Sequence, residues 1–205
     1  MAVTWIFFDV GSTLVDETEA YDHRARDMLR GTGISFSAFD RKRTELARQG
    51  LDGNTEAIRY FGLRKTPWHS EDERPYDDAA QTLQGLKNRG YRLGIIANQV
   101  PGTAKRLDAW GLLRYFDVVA ASAELGVAKP NPRIFEKALA MAECHPQNAV
   151  MVGDRLDNDM IPAKALGMQT VWLRRGTARY QNAALGRQVA DHVIDELSDL
   201  KRIFP

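Results

Sequence analysis

Side chains that could do chemistry follow four short apolar runs of the sequence. The four are Asp9 after WIFF, Asn98 after LGIIA, Lys129 after DVVAA and Asp154 after AVMV. Each of them alone also fits a turn, a cap or a solvated loop charge, since Asp and Asn often hydrogen-bond nearby backbone. Their shared position after apolar runs predicts that they meet at one site.

The segment DRLDND adds Asp157 and Asp159 to the acidic set. Ligands of open α/β sheets bind beyond the carboxyl ends of the strands, so that edge would collect carboxylates, a lysine and an amide. Carboxylates without histidine or cysteine suit Mg²⁺, which would also offset their mutual repulsion. Lys129 adds positive charge. Such a site suits a phosphate ester whose phosphoryl group is attacked by Asp9, giving an aspartyl phosphate.

The elements that must position these residues alternate along most of the chain. The apolar runs are too short for helices and do not alternate with polar residues, which is typical of buried parallel strands. They occupy 5–8, 93–97, 117–121, 149–152 and 170–173. Helices are predicted from Asp77 to Arg89, from Asn131-Pro132 onward and from Asp159 to Leu166. Alternating strands and helices predict a doubly wound, Rossmann-like α/β sheet.

Residues 16–74 break this alternation. They contain helix-like pieces at 20–30, 37–48 and 54–61, separated by Gly-containing turns, and no convincing strand. The sequence therefore predicts an α/β core domain of residues 1–15 and 75–205, with a small helical cap domain, 16–74, inserted after the first strand.

The composition narrows the class of protein. The chain has 205 residues, 44% of them apolar, and 28 basic against 27 acidic side chains. So balanced a charge gives no reason to expect nucleic acid or a membrane as partner. The single cysteine, Cys144, fits a reducing compartment, and no targeting segment stands out, so we expect a cytoplasmic protein. The four histidines are scattered in the sequence and predict surface or capping roles.

Four motifs in order resemble the haloacid dehalogenase-like (HAD) superfamily, which is dominated by phosphatases. They are FFDVGSTL, IIANQ, GVAKPNPRIF and VGDRLDND. The resemblance covers roughly 3–15 and 75–195. It implies that Asp9 is the nucleophile and a Mg²⁺ ligand, and that Lys129 is catalytic and holds the phosphate. The implied metal-site residues also include the Gly11 carbonyl, Asp154 and Asp159. Asp159 would bond either a metal-bound water or the lysine.

Two positions depart from the family pattern. Gly11 stands where its phosphatases usually have a second aspartate, the general acid for the leaving oxygen and later the base for water. Ala97 stands where they have a hydroxyl donor to the phosphoryl group, a role that Asn98 could partly cover. General acid–base help is typically worth ~10²–10⁴-fold in rate. Either the leaving group is a good one, or turnover is slow, or an acid comes from elsewhere; Asp16, Glu17 and Glu19 are candidates, although we interpret them as solvated hinge charges.

The sequence favours a Mg²⁺-dependent phosphatase that acts on a small phosphorylated metabolite. One alternative is a regulatory protein of the same fold that binds Mg²⁺ and phosphate without catalysis. Others are hydrolases of a C–halogen bond, which need no metal, or of a C–P bond, which use a cap lysine; Lys42 and Lys65 are the only lysines in the insertion. Basic residues of the cap would select the substrate, among them Arg24, Arg26, Lys42 and Arg43. Either a monomer or a homodimer is expected.

Overall fold

A six-stranded parallel sheet forms the centre of the computed structural model, which describes residues 2–205. The strands of the chain are β1 (Trp5–Phe8), β2 (Val15–Asp16), β3 (Arg74–Pro75), β4 (Arg92–Ala97), β5 (Val118–Ala121), β6 (Ala149–Gly153), β7 (Gln169–Leu173) and β8 (His192–Ile194). The large sheet has the order β5-β4-β1-β6-β7-β8, and all its neighbours are parallel. The predicted doubly wound α/β fold is confirmed.

Helices cover both faces of this sheet. They are α1 (Thr18–Leu29), α2 (Phe36–Arg48), α3 (Gly53–Tyr60), α4 (Ala79–Asn88), α5 (Thr103–Ala109), α6 (Ser122–Leu125), α7 (Pro132–Met141), α8 (Ile161–Ala165), α9 (Ala183–Val189) and α10 (Leu200–Ile203). Short 3₁₀ turns lie at Ser70–Asp72, Leu113–Tyr115, Pro146–Asn148, Thr177–Tyr180 and Leu197–Asp199. Among residues 2–205, no helix is both long enough and apolar enough to cross a membrane.

The uniformly apolar strand β1 is explained by this double cover. Ile6 and Phe8 pack into one apolar cluster with α4 and α10, whereas Trp5 and Phe7 pack into a second cluster with α7 and α8. Successive side chains of a strand point to opposite faces, so a strand covered on both faces needs apolar residues at every position.

Helices α1, α2 and α3 form the helical insertion (residues 16–74) and bury an apolar cluster of their own. Its fully buried members include Ala25, Phe39 and Ala57. At the base of the insertion β2 pairs antiparallel with β3, so that Val15 faces Pro75 and Asp16 faces Arg74. This pair lies at the expected boundaries, where no strand was predicted. The separate cluster supports the division into core and cap domains, which we keep as a proposal.

Three local features differ from the sequence predictions. Strand β8 was not predicted, since its three residues carry only two apolar side chains. The helix expected from Asp159 is preceded by a π-type turn, Leu156–Met160, and becomes α-helical only at Ile161. Helix α4 begins two residues later than expected, at Ala79. By contrast, Asn131 caps α7 as predicted, accepting a hydrogen bond from the Arg133 N–H.

Candidate active site

The register of three parallel strands brings the predicted residues to one edge. Phe8, the last residue of β1, pairs with Ile95 of β4 and Val152 of β6. The Asp9 backbone N–H continues this ladder and donates to the Val152 carbonyl at 2.9 Å. Asp9 and Asp154 therefore leave neighbouring strands side by side, at the carboxyl edge where ligands of α/β sheets bind.

Three carboxylates meet there. Asp9, Asp154 and Asp159 each place an oxygen within 4.8 Å of the other two, and all three residues are buried. Lys129 reaches into the group from the loop between α6 and α7, with its Nζ 2.8 Å from Asp9 Oδ1 and 2.5 Å from Asp159 Oδ1. The convergence expected from the sequence is thus present for these four residues.

Charge at this cluster is unbalanced. Burial disfavours the Lys129 ammonium, but Asp159 and Asp9 outweigh that effect and raise its pKa. Burial, followed by repulsion from Asp159 and Asp9, raises the pKa of Asp154 well above its ordinary range. One lysine therefore does not offset three buried carboxylates. The donor set is all oxygen, and a hard divalent cation fits both its chemistry and its missing positive charge.

Asp159 lies on the π-type turn and serves the lysine. Its Oδ2 accepts a hydrogen bond from the Arg155 N–H at 3.1 Å, while its Oδ1 contacts Lys129. A side chain on Gly153 would meet the Asp159 carboxylate at 2.5 Å, so glycine is needed there for this close approach. Of the two roles expected for Asp159, the contact with the lysine is present, and the contact with a metal-bound water stays a prediction.

Asn98 holds the backbone of Lys129 with its whole amide group. Its Nδ2 donates to the Lys129 carbonyl at 2.9 Å, and its Oδ1 accepts from the Lys129 N–H at 2.7 Å. Because both polar atoms are engaged, the side chain fixes the loop that carries Lys129. Its predicted contact with the substrate stays a prediction.

Glu17 corrects our interpretation of the hinge carboxylates as solvated. The loop after β1 turns back on itself, with the N–H groups of Leu14 and Val15 both donating to the Val10 carbonyl. This turn returns the chain to Gly11, and Glu17 is only 9% exposed. Burial, then the charge of Asp9 and after it those of Glu73 and Asp16, raise the pKa of Glu17 to about 8.

Two cavities adjoin the carboxylate cluster. A cavity of about 140 Å³ is lined by Asp9, Gly11, Asp154 and Arg155 among others. A larger one of about 570 Å³ lies between the helical insertion and the core, and its walls include Met28, Phe39, Ile58 and Trp68. Glu17, Tyr21, Asn98 and Gln99 border both cavities. The small polar cavity has room for a phosphoryl group, and the large amphipathic one for the rest of a substrate.

The basic residues expected to select the substrate are only partly at the cavity. Arg24 lines it, with its Nε donating to the Thr66 carbonyl. Arg26 pairs with Glu19, Lys42 with Glu45, and the buried Arg43 with Asp22 and Asp40, all within the helical insertion. The core supplies Arg106 instead, and Lys65 lies at the cavity as an exposed residue.

Two of the histidines that are scattered in the sequence meet in the fold. The rings of His23 and His69 stack with centroids 3.6 Å apart. His69 contacts Asp27 through Nε2 at 2.7 Å and Glu71 through Nδ1 at 3.1 Å. Although His23, Asp27 and His69 lie close enough to hold a metal ion, both His69 nitrogens already face carboxylates, which favours an ion-paired imidazolium.

Comparison with known proteins identifies the family. The family model of haloacid dehalogenase-like hydrolases matches residues 3–167, and the chain therefore belongs to that family. A glyceraldehyde 3-phosphate phosphatase of Pyrococcus furiosus is 33% identical over 97% of this chain and 92% of its own length. Its counterpart from Methanothermobacter thermautotrophicus is 37% identical over 64% of this chain and only 59% of its own length. A crystal structure of a HAD phosphatase from Thermococcus onnurineus superposes with a TM-score of 0.65 at 28% identity, covering 99% of this chain and 97% of that one.

Sequence reasoning misjudged one residue at the site and missed another. Glu17 was among the candidate acids but was interpreted as a solvated hinge charge, and Arg155 was not considered although it follows Asp154 directly. Arg155 lines the small cavity and bonds Asp52 of the helical insertion at 2.8 Å. A usable signal for Glu17 was the glycine at position 11, which leaves space for a side chain from another part of the loop.

Proposed function

We propose that this chain is a Mg²⁺-dependent phosphatase that hydrolyses small phosphate esters through an aspartyl phosphate on Asp9. The observation that carries the proposal is the Asp9 carboxylate, fixed at the end of β1 by Lys129 and surrounded by buried carboxylates. Family membership and relatives named as phosphatases support it.

Asp9, Asp154 and the Gly11 carbonyl would hold the metal, as the resemblance to the family implies. Bound there, Mg²⁺ supplies positive charge that neutralises the carboxylates and draws electron density from the phosphoryl oxygens. Lys129 holds one Asp9 oxygen and is placed to bind the same phosphoryl group. The other Asp9 oxygen is then the nucleophile, aimed from a rigid strand.

Two of the three alternatives have less support in the structure. A C–P hydrolase of the family would use a cap lysine in a desolvated environment, whereas Lys65 is exposed and Lys42 is paired with Glu45. A C–halogen hydrolase would need no metal and would have no use for a buried carboxylate trio. A non-catalytic binder would share the whole site, so only turnover can distinguish it.

Hydrolysis of a phosphate ester panel tests the proposal. We expect release of inorganic phosphate from glyceraldehyde 3-phosphate, glycerol 3-phosphate or 4-nitrophenyl phosphate in Mg²⁺, and its loss in EDTA. Asp9→Asn should be inactive because the amide is a poor nucleophile, while the matched control Asp108→Asn on the exposed side of α5 should keep full activity. Turnover that survives Asp9→Asn would overturn the mechanism. Mg²⁺-dependent phosphate binding without turnover would instead establish the binding protein.

A further inference from the structure

The carboxyl group of Glu17 fills the space that a side chain at position 11 would occupy. A Cβ placed on Gly11 would lie 2.4 Å from Glu17 Oε2 and 2.5 Å from Glu17 Oε1. Position 11 is two residues after the nucleophile, the place where the family's phosphatases usually have a second aspartate. Glu17 therefore places a carboxyl group beside Asp9, although it lies six positions after position 11, where the aspartate is missing.

We propose that Glu17 is the general acid of this enzyme and donates a proton to the oxygen of the leaving group. The inference rests on the proposed phosphatase function. Its position supports it, because Glu17 borders both the small cavity that contains Asp9 and the large cavity under the helical insertion. The bond that breaks would lie between a phosphoryl group in the first cavity and an organic group in the second.

The Glu17 carboxyl has no competing structural partner. Among residues 2–205, its oxygens are engaged by no hydrogen bond or ion pair, although the residue is buried. A buried carboxyl without a partner is costly unless it is neutral or meets a ligand. A carboxyl group that donates its proton to a substrate oxygen is neutral before the reaction and has that oxygen as its partner.

The other nearby carboxylates are already engaged. Asp16 accepts a hydrogen bond from the Thr18 N–H at 2.9 Å and caps the start of α1. Glu19 pairs with Arg26 and its side chain is 67% exposed. Glu73 accepts a hydrogen bond from Trp68 Nε1 at 2.7 Å. Of the two cavities it borders the larger one and not the smaller one. Of these residues, Glu17 alone borders the small cavity with Asp9.

The two half-reactions balance with this assignment. In the first, Asp9 forms a bond to phosphorus, the ester P–O bond breaks, and the departing oxygen takes the Glu17 proton to become an alcohol. In the second, water attacks phosphorus and gives its proton to the Glu17 carboxylate, while the P–O bond to Asp9 breaks. Inorganic phosphate leaves, and both carboxyl groups return to their starting states.

Leaving-group dependence tests this role by a readout that loss of structure would not produce. A nitrophenolate needs no proton to depart, whereas an alkoxide does. We expect Glu17→Gln to slow the first turnover of glycerol 3-phosphate by ~10²–10⁴-fold. With 4-nitrophenyl phosphate the same variant should release one equivalent of nitrophenol per site in a burst near the wild-type rate, followed by slow turnover. The matched control Glu19→Gln should behave as wild type with both substrates.

The result that overturns the proposal is equal behaviour of the two substrates in Glu17→Gln, either both unaffected or both slowed alike in the first turnover. Asp9→Asn separates this failure from failure of the phosphatase mechanism, because it should abolish the burst entirely. Relocating the acid gives a second test. Gly11→Asp in the Glu17→Ala background should raise glycerol 3-phosphate turnover at least about tenfold over Glu17→Ala alone. A double variant that keeps the wild-type melting temperature and gains nothing counts against the proposal.

Discussion

At the scale of single residues, the reach of Lys129 depends on how its own backbone is held. The ammonium group contacts two carboxylates, and the backbone is fixed by both polar atoms of Asn98. Asn98 follows β4, whereas Lys129 lies in the loop between α6 and α7. The site is therefore assembled by contacts between segments that the sheet brings together.

Replacing Asn98 should weaken both catalysis and folding. Asn98→Ala removes two hydrogen bonds worth about 0.5–1.5 kcal/mol each. Since a displacement of about 1 Å in a reacting group can lower a rate by ~10²-fold, we expect kcat/KM to fall by about ten- to a hundredfold. Steady-state kinetics with thermal melting checks this, using Asn88→Ala on the exposed side of α4 as the control. Unchanged kcat/KM would show that the loop holds Lys129 without Asn98.

Much of the site could be predicted at this scale, for a physical reason. Residues that follow parallel strands in register must lie at one edge, so Asp9 and Asp154 could be placed together from the sequence. Glu17 could not be placed, because its position depends on the tight turn at Val10 and on the space left by Gly11. Whether a carboxylate near a hinge points to solvent or to the nucleophile is decided by that turn.

At the scale of elements, the paired histidines connect α1 to the segment that returns to the core. Hydrogen bonds that His69 donates to Glu71 and Asp27 raise the pKa of His69, and the bond to Asp27 lowers the pKa of that carboxyl group. The imidazolium therefore stabilises the fold below the ordinary histidine pKa of about 6.5, and this contribution is lost as pH rises through the higher folded pKa. The Asp27 contribution is lost at the other end, as pH falls through its lowered value.

His69→Gln should make thermal stability less dependent on pH. Between pH 6 and 9 we expect the melting temperature of the wild type to fall towards that of the variant, because the wild type alone loses an imidazolium in its native state. Melting curves across this range measure the difference. His145→Gln, a change at an exposed histidine, is the matched control. A gap between wild type and His69→Gln that stays constant or widens with pH would contradict this assignment.

The type of each main element could be read from the sequence more reliably than its ends. Continuous apolar runs identified five strands because burial on both faces leaves no other pattern. Strand β8 escaped because it lies at the edge of the sheet, where a short segment with two apolar residues is enough. The π-type turn before α8 carries Asp159, whose carboxylate contacts Lys129, and such a long-range contact is not contained in local propensity.

At the scale of the whole molecule, packing and polar contacts join the helical insertion to the core, with α2 and α3 lying against the turn Thr177–Tyr180. Asp52, at the start of α3, bonds Arg155 beside the carboxylate cluster, and Asn54 Nδ2 donates to Thr177 Oγ1 at 3.2 Å. The apolar cluster of the insertion is separate from the two clusters of the core. The sequence predicted that an insertion exists, but long-range pairs such as Asp52 with Arg155 leave no local pattern.

Asp52→Asn isolates the ion pair between insertion and core. Asparagine caps a helix about as well as aspartate, so α3 should keep its first hydrogen bonds. The loss of a half-exposed pair should change the free energy of unfolding by less than about 1 kcal/mol and raise KM by up to about fivefold, with kcat little changed. Urea unfolding and initial-rate kinetics measure the two effects. Glu45→Gln, which breaks an ion pair inside the insertion, should leave KM unaltered. A drop in kcat with constant KM would mean that Asp52 acts on the chemical step.

Strand β2, which pairs antiparallel with β3, lies between the nucleophile and the proposed proton donor in the chain. Glu17 is the first residue beyond β2, so it belongs to the helical insertion, whereas Asp9 follows the central strand β1. Any outward rotation of the insertion about the two-residue strands β2 and β3 would move the Glu17 carboxyl group away from the phosphoryl group. An open conformation would then hold Asp9 without its general acid, and full activity would return only when the insertion closes over the substrate.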